Sequence, residues 1–279
     1  MNPYRIETPG VVSFSGGRTS GFMLRQILDA YDGELPEDLL VTFQNTGLEH
    51  AATYRFIHEV ETRWGVPIKW LEYALDDERE PTVVVTDHDR ASRNGEPFDL
   101  LIGKKGYLPN PVSRICTVQL KMRTQQRYLR SLPAFADGWT SAVGLRYDEP
   151  RRALRLTGDT SLENPVAPMY HAKHTEEDVL AFWRDCDFDL DLPLAGNMAG
   201  NCVGCFLKSQ YKLEVLAQEM PEYFEWWIQA ERKASETADA GAVFRQDRPS
   251  YANLMKQVRE QGQLFSEDAG DTISCFCTD

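Results

Sequence analysis

Three groups of residues in this 279-residue chain have the types and spacing to do chemistry. The first is Ser15-Gly16-Gly17-Arg18-Thr19-Ser20. Two glycines permit a sharp turn and close approach of backbone to a ligand, and three hydroxyls and a guanidinium supply donors. The second is a basic stretch between Arg114 and Arg155, where nine Lys or Arg residues face three acids, a local excess of six positive charges. The third is a set of cysteines: Cys116, the C-x-x-C of Cys202 and Cys205, and Cys275 and Cys277 near the end of the chain. Thiolates at such spacing suit a metal centre or redox chemistry better than a disulfide framework in a chain of this size.

The elements that must position these groups are legible around them. The apolar run Val11-Val12-Ser13-Phe14 leads into the glycine loop, and Leu24, Ile27, Leu28 and Tyr31 lie on one helical face after it. A strand, a Gly-Gly turn and a helix N-terminus make a phosphate site, because the first helical N–H groups are unpaired at the positive end of the dipole. The spacing matches neither G-x-x-x-x-G-K-[ST] nor G-x-G-x-x-G. Leu39-Leu40-Val41-Thr42-Phe43 reads as a second strand, ending in the turn Gln44-Asn45-Thr46-Gly47. Phe56, Ile57, Val60 and Trp64 mark the next helix, and Pro67-Ile68-Lys69-Trp70-Leu71 a third strand. Alternating strands and helices imply a parallel sheet covered on both faces, with ligands beyond the strands' carboxyl ends.

Over residues 81–111 the pattern weakens to a short strand at Val83-Val84-Val85 and turn signals at Asn94-Gly95 and Pro109-Asn110-Pro111. Asp87-His88-Asp89 reads as a solvated turn and His50 as a helix-start residue. A helix is expected over 118–130 and a buried strand from Trp139, running out into Arg146. Thr175 caps a helix carrying Val179, Leu180 and Trp183. His171 and His174 precede that cap in a loop, a poor arrangement for metal ligands. Tyr223, Trp226, Trp227 and Ala230 form a packing stripe, and Leu254 and Val258 mark a last helix.

A net charge of −13 argues against bulk nucleic-acid binding, and the local basic excess suits a compact anion. With no apolar run near the roughly 18 residues that span a bilayer, the expectation is a cytoplasmic protein without membrane contact.

The Ser15–Ser20 loop resembles the S-G-G-x-x-S loop of the ATP pyrophosphatase (PP-loop) superfamily, which includes the phosphoadenosine phosphosulfate (PAPS) reductases. Further segments follow in the reductase order. Asn45-Thr46-Gly47 stands where a D-T-G turn is common, and Gly144-Leu145-Arg146-x-x-Glu149-x-x-Arg152 resembles G-[IV]-R-x-x-E-x-x-R. The spacing of Cys116 to Cys202 and Cys205 resembles that of the iron–sulfur reductases, with Ile115 in place of the first cysteine of a pair. The resemblance implies an adenine nucleotide alpha-hydrolase-like α/β fold: a nucleotide-binding domain over 1–195 and a helical, cysteine-bearing region over 196–279. It implies nucleotide contacts from Ser15, Gly16, Gly17, Arg18, Thr19, Ser20, Asn45, Thr46, Gly47, Gly144, Arg146, Glu149 and Arg152. A [4Fe–4S] cluster, or zinc, would sit on Cys116, Cys202, Cys205 and Cys275. Cys275 or Cys277, with Arg146, would be catalytic. The implied activity is thiol-dependent reduction of an adenylyl sulfate, with PAPS as substrate and a thiol reductant as partner. The alternative is an ATP-dependent adenylating sulfurtransferase that releases pyrophosphate. That enzyme would take sulfur from a donor protein and act on a small or nucleic-acid acceptor. A homodimer is compatible with either. The Gly144–Arg152 segment and the tail cysteines favour reduction, whereas Arg18-Thr19, where the reductases often carry Lys-Asp, and the absence of their E-C-G-[LI]-H ending favour the alternative.

Overall fold

The computed structural model describes residues 2–156, 161–194, 197–237 and 242–261. Among these, six strands form one sheet in the order β4-β3-β2-β1-β5-β6. They are β1 (Gly10–Ser13), β2 (Leu39–Asn45), β3 (Ile68–Leu75), β4 (Pro81–Thr86), β5 (Trp139–Ala142) and β6 (Glu163–Val166). All neighbours pair in parallel except β3 and β4. β4 is antiparallel because only a tight turn separates it from β3. Asp76 Oδ1 accepts from the N–H groups of Glu78 and Glu80 there, leaving no length for a crossover.

Helices cover both faces, as the alternation of strands and helices leads one to expect. In chain order they are α1 (Arg18–Ala30), α2 (Ala51–Trp64), α3 (Glu96–Lys105), a π-helical segment (Cys116–Met122), α4 (Arg123–Arg130), the short α5 (Pro150–Ala153) and α6 (Pro168–Ala172), α7 (Glu176–Asp185), α8 (Gln210–Glu219), α9 (Glu225–Thr237) and α10 (Tyr251–Gln261). Side chains alternate across the sheet along β1. Val12 joins the cluster with α1, α2 and α7, whereas Val11 packs with Leu129 of α4, Phe135 and Trp139. A third cluster gathers the C-terminal helices onto Tyr73, Phe98, Leu101 and Leu120.

Several elements differ from the sequence reading. The helix expected over 118–130 begins as a π-helix before turning α-helical at Arg123. α3 falls in the stretch read as turns: its apolar face is short, with Pro97, Phe98 and Leu101 buried and Leu100 exposed. Its end charges nonetheless follow the dipole, with Glu96 and Asp99 in the first turn and Lys104 and Lys105 in the last. His50 is the N-cap of α2, accepting from Ala52 N, and Thr175 with Asp178 forms a capping box on α7.

α7 locks the start of α1. Trp183 is buried against Phe56 and Phe188, its edge lies over Gly21, and its Nε1 donates to the carbonyl of Arg18 at 2.8 Å. Replacing it empties a large buried volume and removes that bond. Trp183→Ala is expected to destabilise the chain by about 3–5 kcal/mol, measured by urea unfolding. A loss below about 1 kcal/mol would mean that α7 does not brace α1.

Candidate functional site

Strand order reverses beside β1: the chain steps to β2 and β3 on one side, then returns to β5 and β6 on the other. Ligands of open α/β sheets settle in the crevice at such a reversal, beyond the strands' carboxyl ends. Two segments meet there. One is the loop after β1. The other is the run from Gly144 to Arg152 after β5.

The first segment is shaped by its own hydroxyls and by a glycine. Ser20 Oγ donates to the Gly17 carbonyl at 3.0 Å and accepts from Ser15 N at 3.2 Å, and Ser15 Oγ lies 3.0 Å from it. Gly16 turns with φ +79°, and a Cβ there would stand 2.8 Å from Ile57 and Thr53 of α2. Only glycine has both the backbone freedom and the absence of side chain this turn requires. Gly17 is the N-cap of α1 without a side-chain capping bond, and the first turn carries no acid. The helix thus presents its amino end to the crevice without an internal anion to satisfy it.

The second segment packs on the first at Gly144, where a Cβ would lie in ordinary contact with Ser20 Cα at 3.4 Å. Arg146 Nη1 then donates to Thr19 Oγ1 at 3.3 Å, and its Nε to Asp148 Oδ1 at 3.0 Å. Glu149 sits between the two arginines of the motif. One carboxylate oxygen accepts from Arg146 N at 3.1 Å, and the other is paired with Arg152 Nη1. Burial disfavours the Arg146 charge. The hydrogen bond to Asp148 and the charges of Glu149, Asp148 and Glu176 outweigh it and hold the guanidinium pKa above its ordinary value.

Two expected nucleotide contacts are engaged within the chain. Arg18 forks onto Asp189 at 2.8 and 2.9 Å and donates to the Leu190 carbonyl at 2.7 Å. Its charge is neutralised by Asp189, and its geometry ties a distant stretch of chain to the start of α1. Asn45 is fully buried. Its Nδ2 donates to Glu72 at 2.6 Å and to the Ser92 carbonyl at 2.9 Å, while its Oδ1 accepts from Gly47 N. Both halves of the amide therefore hold the β2 turn.

Thr46 and Gly47 belong to that turn also. Thr46 Oγ1 donates to Glu49 Oε1 at 2.7 Å and lies 3.3 Å from Cys202 Sγ. Glu49, which the motif reading passed over, is buried and accepts from Tyr54 OH and from the N–H groups of Thr46 and Leu48. An isolated bridge between Glu49 and Cys202, with Val203 N donating to the Leu48 carbonyl at 2.9 Å, fastens the C-x-x-C to this turn. Burial pushes the Cys202 thiol well above its ordinary pKa, and the Glu49 carboxylate adds to the effect. Cys116 and Cys205 pack against the same apolar cluster that contains Cys202. Among the described residues, however, no group of three or more His, Cys, Asp or Glu side chains could hold a metal ion. The centre expected on Cys116, Cys202, Cys205 and Cys275 is thus not gathered among the described residues. Cys275 and Cys277 lie outside the described residues. No described helix is long and apolar enough to cross a membrane.

Above the loop after β1, Leu190, Asn197, Gly200 and Asn201 complete a narrow cleft with Ser15, Gly16, Gly17 and Thr53, with about 10 Å³ of free volume. Nothing local in the sequence marks Asp189, Leu190 or Asn197 as partners of a loop more than 160 residues earlier.

No family model matches the chain. Among solved structures it is similar to the U34-tRNA thiolase NcsA from Methanococcus maripaludis with its [4Fe-4S] cluster, at TM-score 0.40 and 14% identity, covering 91% of this chain and 81% of that one. It is also similar to an NH3-dependent NAD synthetase from Campylobacter jejuni subsp. jejuni NCTC 11168 in complex with the nitrate ion, at TM-score 0.38 and 15% identity over 93% and 89% of the two chains. At these levels neither likeness bears on activity. A curated relative, the "Uncharacterized nin region protein ORF290" of Escherichia phage lambda, is 32% identical over 215 residues, spanning 75% of this chain and 69% of its own length. On that identity and span, the chain belongs to the family of the lambda nin region protein ORF290.

Proposed function

We propose that this protein is an ATP-dependent adenylating enzyme of the PP-loop type that prepares an acceptor for sulfur transfer. One observation carries the reading: the Ser15–Ser20 loop and the Gly144–Arg152 segment meet at the strand-order reversal, through Gly144 against Ser20 and Arg146 on Thr19. The α1 amino end and the loop N–H groups would take the phosphates. Arg146, oriented by Asp148 and Glu149, would offer its planar fork to the charge that grows on the leaving group. An acceptor oxygen attacks the α-phosphorus, the bond from that phosphorus to the bridging oxygen breaks, and pyrophosphate leaves with its electron pair. A sulfur nucleophile of the hydrosulfide class, brought by an external donor, then displaces AMP.

Reduction of an adenylyl sulfate has less support. It needs a thiolate nucleophile: the expected ones, Cys275 and Cys277, lie outside the described residues, and Cys202 is buried and hydrogen-bonded to Thr46. No metal enters the proposed steps, because the described cysteines do not gather as a ligand set.

The deciding experiment incubates the purified chain with ATP, a candidate acceptor and hydrosulfide, and separately with PAPS and a thiol reductant. Pyrophosphate and AMP are expected from the first mixture; sulfite from the second, without pyrophosphate from the first, would reverse the assignment. Within the site, Gly16→Ala is expected to weaken ATP binding about tenfold or more by calorimetry, since a Cβ meets α2 and φ is positive. Arg146→Lys should lower turnover about tenfold or more, because an ammonium cannot reproduce the fork; retained activity would remove Arg146 from the reaction. Native Cys202 should resist alkylation near pH 8, close to the free-thiol pKa of about 8.5, and react only after unfolding, as read by mass spectrometry. Rapid labelling of the native chain would show Cys202 to be an accessible thiolate.

A further inference from the structure

The chain that crosses above the phosphate loop is fastened at both ends. At one end, Arg18 forks onto Asp189 and bonds the Leu190 carbonyl. At the other, Cys202 bridges to Glu49 and Val203 N bonds Leu48. Between these anchors, Asn197, Gly200 and Asn201 face Ser15, Gly16 and Gly17 across one cleft. The turn they form is closed by Gly200 N donating to the Asn197 carbonyl at 3.1 Å and held from behind by Lys208 Nζ on the Gly200 carbonyl at 2.6 Å.

Within this turn one polar atom stands out. Asn197 Oδ1 is buried and has no hydrogen-bond partner among the described residues. Its residue adopts φ +54°, a conformation asparagine tolerates better than most. The amide lies flat on Gly200, where a Cβ would stand 2.5 Å from Oδ1 and 2.7 Å from Nδ2. A buried acceptor left unmade costs about 1–3 kcal/mol, so its persistence calls for a partner beyond the described residues.

We infer that residues 197–201 roof the nucleotide site and that Asn197 Oδ1 accepts a hydrogen bond from a sugar hydroxyl of the bound adenine nucleotide. This rests on the nucleotide reading above. The chemistry selects the hydroxyl. Ionised phosphate oxygens only accept, and so does Oδ1, so the two repel. The sugar is the donor-bearing part of a nucleotide adjoining the phosphates that the facing loop would hold, and the adenine amino group lies further off.

The test measures binding of ATP, inorganic pyrophosphate and 2′,3′-dideoxy-ATP by calorimetry to wild type, Asn197→Gly and Asn197→Asp, with thermal melts as a check on folding. Glycine removes the amide without straining the positive φ, and aspartate keeps an acceptor. Asn197→Gly is expected to bind ATP about tenfold more weakly and pyrophosphate as wild type does. Wild type should bind the dideoxy nucleotide about as weakly as Asn197→Gly binds ATP, and Asn197→Asp should hold ATP better than Asn197→Gly. The inference falls if Asn197→Gly binds ATP like wild type, since the oxygen then meets only water. It also falls if aspartate is worse than glycine or if pyrophosphate binding drops in step, since the amide then faces phosphate. A wild-type chain that binds no ATP overturns the nucleotide reading itself, a result separate from any comparison of the variants.

Discussion

The reversal of strand order beside β1 is the constraint on which the rest of this molecule depends. Parallel strands bring their carboxyl ends, and the amino ends of the helices that follow, to one side of the sheet. Between β1 and β5 the two connections depart in opposite directions, so their loops leave a crevice rather than packing on each other. Both loops enter it through glycine. Gly16 passes beneath α2 with a positive φ, and the β5 exit packs beside Ser20 at Gly144. The amino end of α1 faces the crevice without a side-chain cap.

Positive charge in this region is arranged by pairing rather than by accumulation. Arg18 is neutralised by Asp189, Arg146 by Asp148 and Glu149, and Arg152 by Glu149. Partly exposed pairs contribute little to stability: the Arg18 and Asp189 side chains are 30% and 36% exposed. Their effect is geometric, since a forked guanidinium fixes direction as well as distance. Arg18 directs the crossing chain onto α1, and Glu149 keeps Arg146 beside Thr19. In a protein of net charge −13, such pairing lets a few cations serve the crevice without a broad basic surface.

The C-x-x-C is similarly bound into the architecture. Cys202 meets a buried carboxylate, Glu49, that already accepts from Thr46, Leu48 and Tyr54. Gly204 lies beneath the Trp227 ring, and Tyr251 OH donates to its carbonyl. The β2 turn, the C-x-x-C and the C-terminal helices are consequently one hydrogen-bonded and packed unit. Through it, the far end of the crossing chain is held in place.

What the sequence by itself determined was local. Apolar runs and 3.6-residue spacing marked β1, α1, β2, α2 and β3 in order, the glycine loop between β1 and α1, and the Thr175 cap of α7, because backbone conformation answers to nearest neighbours. Weak or mixed patterns concealed α3, whose buried face is three residues, and the direction of β4, which is decided by connection length rather than composition. The loop and the Gly-Leu-Arg segment were visible as motifs, and only the tertiary structure decided what their side chains do. Arg18 closed on Asp189, 171 residues away, and Asn45 on Glu72 and Ser92. Asn197 reached the crevice because two anchors draw its segment across it. A long polar side chain takes whichever partner the fold brings within about 3 Å, and no short-range pattern encodes that choice.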